Sequence, residues 1–169
     1  DVLNSVNPGV SENCSNGIDD DCDGLIDEPA WNPGSHPSYV VDDVVEINSG
    51  GDVVKVYKYE ASRPSATGAS SGAGTSTRAC SRPGVMPWAK VTFKQAELAC
   101  HRAGMGLCSE TIWEEACDGD GTSNDYPYGD TYGSGNCNGE DAGHGIAQPT
   151  GSMPNCASTG YGIEDLSGN

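Results

Sequence analysis

Apolar positions in this chain come in short, separated runs, and the spacing inside each run predicts its element. Residues 1–30 are polar and acidic, with isolated aliphatics such as Val2, Leu3, Val10 and Ile18. Pro29-Ala30-Trp31-Asn32-Pro33-Gly34 then reads as a boundary, because proline and glycine interrupt any regular element. Two β-branched runs follow, over 39–47 and 53–59, separated by Asn48-Ser49-Gly50-Gly51-Asp52. They predict two strands joined by a glycine turn. Residues 64–77, rich in Ser, Ala, Gly and Thr, predict an exposed, mobile loop.

Helical spacing begins at Thr92. Thr92 and Gln95 have capping-box spacing, Phe93, Ala96, Cys100 and Ala103 recur on one face, and Gly104 supplies a stop. A second helix is predicted over 110–117, with Ser109 as N-cap and an apolar stripe of Ile112, Trp113, Ala116 and Cys117. That stripe places Trp113 in the core. From Asp118 onward Gly, Asn, Asp and Pro dominate with no period, which predicts loops. The pattern divides the chain into an acidic unit (1–30), a linker (31–37) and an α+β domain (38–169).

Composition makes the predicted core thin. Among 169 residues there are 24 glycines and one phenylalanine, and 35% are hydrophobic. A domain of that kind needs cross-links or metals. Eight cysteines, at 14, 22, 80, 100, 108, 117, 137 and 156, can supply the former. None of them shows C-x-x-C spacing, and His36, His101 and His144 make no zinc pattern, so disulfides and an oxidising compartment are the reading. The expected bonds are Cys14–Cys22 and Cys137–Cys156, with Cys80–Cys108 and Cys100–Cys117 favoured for the rest.

The formal charge is −17, and every Lys and Arg lies between Lys55 and Arg102. Such acidity argues against nucleic acid and against anionic lipid. No apolar run is long enough for a transmembrane segment. The chain begins at Asp1 without a signal peptide, so an export signal is expected to have been removed.

The sharpest local signal is at residues 12–28. Asp19, Asp21, Asp23 and Gly24 match positions 1, 3, 5 and 6 of a calcium loop, Leu25 offers its carbonyl at position 7, and Asp27 falls at position 9. Position 12 is Ala30, so Glu28 or an outside residue has to stand in for the usual glutamate. Six carboxylates lie within ten residues here. Each close like-charge pair costs ~1 kcal/mol even in water, and a bound dication reverses that sign. Oxygen donors point to Ca²⁺ as the ion. A Cys14–Cys22 bond would close a ring of nine residues around the loop, worth roughly 2–3 kcal/mol in the chain-entropy model. Asn13-Cys14-Ser15 also forms a weak N-glycosylation acceptor.

This stretch resembles the acidic MopE-like metal-binding motif of bacterial cell-surface proteins, with each fixed position of C-x-N-G-x-D-D-D-C-D-G-x-x-D-E present. That resemblance implies metal binding and a secreted or surface location.

A longer resemblance covers residues 57–169. Its pieces include Pro87-Trp88, Gly106-Leu107-Cys108-Ser109-Glu110, Trp113-Glu114-Glu115-Ala116-Cys117, Tyr126-Pro127-Tyr128-Gly129-Asp130 and Gly162-Ile163-Glu164-Asp165-Leu166-Ser167-Gly168-Asn169. Together they are similar to the formylglycine-generating-enzyme-like (sulfatase-modifying factor) family. The resemblance implies a C-type-lectin-like fold, loop-rich and here incomplete, with the family's copper-binding catalytic cysteines expected beyond residue 169. It also implies structural calcium near Asn138 and Asp141, and a second such site at Asn169.

His101, Ser109 and Cys108 carry no recognisable triad, so no catalytic residue is expected among those present. Tyr126, Tyr128, Tyr132 and Tyr161 are expected to pack loops, with sugar contact the rarer role. The leading expectation is therefore an exported calcium-binding surface or extracellular protein, a binding or structural module contacting glycans or another envelope protein. One alternative is a formylglycine-generating, copper-dependent oxidase. Another is a subunit of an extracellular filament or envelope complex.

Overall fold

The computed structural model describes residues 42–72, 78–119 and 123–169. The acidic unit, its Cys14–Cys22 pair and the expected linker lie outside the described residues.

Strands β1 (Val44–Ser49) and β2 (Asp52–Tyr57) form an antiparallel hairpin in the register Val44↔Tyr57 to Ser49↔Asp52. The turn is shorter than the five residues set aside for it in the sequence. Gly50 and Gly51 sit at φ 61° and 97°, and two adjacent positive φ values make a two-residue turn whose twist suits the strands. The ladder can therefore run on through Asn48, Ser49 and Asp52.

Helix α1 (Phe93–His101) starts on the predicted capping box. Gln95 N donates to Thr92 Oγ1 at 3.3 Å, and Gln95 Oε1 accepts from Thr92 N at 2.9 Å. Helix α2 (Glu110–Asp118) begins at Ser109, whose hydroxyl accepts from Ile112 N at 3.3 Å, and ends at Gly119. The remainder is loop with two short 3-10 turns, Glu140–Ala142 and Pro154–Cys156.

The core is thin, as the composition implied. Ile47, Val56, Ala116 and Ile163 meet where α2 lies on the hairpin, with Val45, Val54, Ile112, Tyr161 and Leu166 packed around them. Ile163 comes from a stretch with no period, and its neighbours bind it into place: Ser158 N donates to its carbonyl, and its own N–H donates to Ser158 Oγ at 3.0 Å.

Beside this core lies a buried ion pair. Arg78 Nη2 stands 3.1 Å from Asp42 Oδ2, and Ser81 N and Tyr57 OH donate to the same carboxylate at 2.7 and 3.3 Å. Burial pushes the Asp42 carboxyl up while the guanidinium opposes that shift, and burial with the nearby carboxylate pushes the Tyr57 phenol up strongly.

Three expectations are corrected, the third only in part. Of the predicted α1 stripe, Ala103 is buried but Phe93 is 74% exposed, and within the helix the buried residue is Ala99. Trp113 is 47% exposed rather than core, because the hairpin meets the other side of α2, at Ile112 and Ala116. In the loop expected to be exposed over 64–77, residues 65 and 67–71 are exposed, while Pro64 and Ala66 are buried. Arg82 Nη2 donates to the carbonyls of Arg63 and Pro64, both at 2.9 Å. Residues 73–77 lie outside the described residues.

The architecture is a small, loop-rich α+β domain. The described sheet has two strands, and the C-type-lectin-like identity is set aside for that coarser description, since a hairpin and two short helices do not single it out. Among the described residues no helix is long and apolar enough to cross a membrane.

Candidate functional site

A cleft of about 500 Å³ lies between β2, the α1–α2 connection and residues 163–166. Its position follows from local sequence. Gly104 at φ 67° ends α1, and Met105 N donates to Cys100 O at 2.9 Å, so the chain folds back at once and runs along the cleft into α2. Val56 and Ile163 line it on the core side, Phe93, Leu107 and Trp113 on the exposed side. Its surface is mostly apolar.

Carboxylates and thiols are among the polar groups that enter this cleft. The carboxylates are Glu60, Glu164 and Asp165. Asp165 accepts from Gly151 N at 2.9 Å and from Glu60 N at 3.4 Å. Gly151 holds φ 68° directly under Tyr59, where an added Cβ would come within 2.7 Å of the ring, so no larger residue fits without a shift. Burial pushes all three carboxyls up, and the Asp165 charge raises Glu60 and Glu164 further. Glu164 Oε2 is buried and takes no hydrogen bond from the described residues.

The thiols are Cys100 on α1 and Cys108 just before the α2 cap. Burial raises both thiols, and Cys108 raises Cys100 further. The expected Cys80–Cys108 and Cys100–Cys117 bonds are not formed among the described residues. The Cys80 sulfur accepts from Arg78 Nη1 at 3.1 Å, beside the Asp42 ion pair. Chain spacing alone could not show that Cys100 and Cys108 line one cleft.

The expected Cys137–Cys156 disulfide is present, with Cα atoms 4.8 Å apart. It points to an oxidising setting outside the cytoplasm. Next to it the structure joins Asn138 and Asn169, which the sequence had assigned to separate sites. Asn138 Nδ2 donates to Asn169 Oδ1 at 2.8 Å, and Asn169 N donates to Asn138 O at 3.0 Å. Asn169 Oδ1 also accepts from Gln148 N at 2.6 Å, and its Nδ2 donates to Glu60 Oε2 at 2.8 Å. Its amide is thus engaged by protein partners on both sides. Asp141 is turned elsewhere, accepting from Tyr132 OH at 2.6 Å.

Tyr132 belongs to an aromatic group in which Tyr126 and Tyr128 stack with centroids 5.5 Å apart, while Tyr161 OH accepts from Asn48 N at 3.4 Å. Loop packing, the expected role, accounts for these contacts. Asp19, Asp21, Asp23, Leu25, Asp27 and Glu28 lie outside the described residues.

Comparison with known families supplies what the geometry leaves open. Residues 3–28 match a metal-binding motif named for copper binding in MopE. The calcium assignment for this loop is corrected on that ground, and with it the calcium-binding lectin-like module. The chemistry of the motif explains the error. Its spacing follows a calcium loop only as far as Asp27, and Ala30 stands where the bidentate carboxylate would be. Oxygen donors do not disfavour copper either, since for a given site Cu²⁺ binds tightest of the first-row divalent ions.

No curated protein and no solved structure matches the chain. Residues 40–169, well over half of the sequence, match the sulfatase-modifying factor enzyme 1-like domain, and the chain belongs to that family.

Proposed function

We propose that these residues form part of a metal-linked redox protein of the sulfatase-modifying-factor type: an exported oxidase that converts a cysteine of a client polypeptide to formylglycine, with copper as its metal. The observation that carries this reading is the family match over residues 40–169. The copper-named motif at 3–28 and the oxidised Cys137–Cys156 pair support it.

In this reading the chain has two working parts. The acidic unit, 1–30, holds the metal through Asp19, Asp21, Asp23, Asp27 and Glu28, where clustered carboxylates gain a counter-charge. Copper at the family's catalytic cysteines, a site separate from this unit and not formed by the described residues, would supply one-electron chemistry with oxygen. The domain, 38–169, contributes a scaffold closed by Cys137–Cys156 and an apolar cleft suited to a polypeptide segment. No residue among those described is assigned to the chemical step. The protein is secreted or held at the cell surface, and its partner is the client polypeptide.

The test is turnover. The full gene product, loaded with copper and given oxygen, a thiol reductant and a cysteine-containing sulfatase-type peptide, should yield an aldehyde that a hydroxylamine probe captures. Copper-loaded protein that leaves the peptide thiol intact overturns the reading.

A further inference from the structure

The cleft contains a device that the family reading does not use. Cys100 ends α1 one residue before its last position, and Cys108 directly precedes the α2 cap. Residues 101–107 between them make a tight return, in which Cys100 O accepts from both Ala103 N and Met105 N at 3.0 and 2.9 Å. Both cysteines line the same cleft, and Cys108 is open to solvent. Elsewhere in the same domain Cys137 and Cys156 are already oxidised.

We propose that Cys100 and Cys108 are a redox-active dithiol that closes to a disulfide, fastening the end of α1 to the start of α2 along one wall of the cleft. The oxidant is a small-molecule or protein disulfide. The accessible Cys108 thiolate attacks one sulfur of that donor and expels the other as a thiolate, giving a mixed disulfide. The Cys100 thiolate then attacks Cys108 Sγ, expels the second donor sulfur and forms the Cys100–Cys108 bond. Two protein thiols are oxidised, one donor disulfide is reduced to two thiols, and the two protons pass to the released sulfurs.

Because burial raises both thiols, the thiolate fraction at neutral pH is small and closure should accelerate as pH rises. Closure draws the Met105–Leu107 stretch against the cleft and narrows access to it.

The experiment uses the full protein, equilibrated with oxidised glutathione, with remaining thiols alkylated before non-reducing digestion. Cleavage after Glu97, Arg102 and Glu110 isolates Cys100 in residues 98–102 and Cys108 in residues 103–110. The expected result is one cross-linked species of these two peptides and a loss of two alkylatable thiols, reversed by dithiothreitol. Cys108→Ser should restore alkylation of Cys100. Should that variant fail to fold, the wild-type peptide map decides by itself. Full alkylation of both cysteines after oxidation, or a Cys100 peptide linked to Cys80 or Cys117, overturns the proposal.

Discussion

The two sides of α2 follow opposite rules. Toward the hairpin, Ala116 is fully buried and Ile47, Val56 and Ile163 close around it, beside an ion pair sealed from solvent. Toward the cleft, Trp113, Leu107 and Phe93 are exposed, and carboxyls and thiols are among the polar groups. One side is built to be permanent. The other keeps apolar surface and titratable chemistry accessible, which stability alone would not select. The proposed dithiol lies on the cleft side of this division.

Substitutions should fall into two classes along that division, and the ion pair should show the largest effect. Asp42→Ala removes the carboxylate that Arg78 faces, and breaking a buried pair typically costs about 3–5 kcal/mol. Urea denaturation should show a lower midpoint with an unchanged slope. A loss under 1 kcal/mol would mean that the packed side is less sealed than its burial implies.

Ile47→Ala should follow at about 2–5 kcal/mol, the range for truncating a buried aliphatic without collapse of the site. Thr92→Ala removes a helix cap and should cost about 1 kcal/mol. Thermal melts of the two variants side by side would check their order.

A smaller effect is expected from the cleft carboxyls. Glu60 is raised in the folded protein, by burial first and then by Asp165, with the Asn169 bond opposing. The folded state therefore holds that proton more tightly than the unfolded chain. Its stabilising contribution is complete below the unfolded carboxylate pKa and is lost as pH rises through the raised folded value. Glu60→Gln should flatten this part of the stability–pH curve. An unchanged curve would separate Glu60 from the coupling with Asp165. Phe93→Ser should have the smallest effect on stability, within about 0.5 kcal/mol, as for an exposed position, and a larger cost would show that the cleft side is packed after all.

What the sequence revealed were the features whose physics is local. The Thr92–Gln95 box and the Ser109 cap are decided by neighbours three residues apart, and both formed as predicted. Cys137 and Cys156 bracket one loop, and they paired. The missed features needed partners that only the fold supplies. Asp42 and Arg78 meet although both strands lie between them in the chain, Asn138 and Asn169 across a sequence separation of 31, and Ile163 joins the core from a stretch without period. A helical stripe names the apolar face but not what covers it, so Phe93 and Trp113 were expected inside and lie outside. The metal was misjudged for a related reason: spacing and oxygen donors describe a cation loop, and they do not choose between ions that the same donors accept.

That choice of ion is also where the account is most directly tested. The purified protein, stripped of metal, is to be dialysed against equal concentrations of Cu²⁺ and Ca²⁺ and its retained metal measured by elemental analysis. The account predicts copper retained by residues 3–28 and lost on Asp21→Ala. Calcium retained with copper absent, or copper retention unchanged by Asp21→Ala, would contradict it.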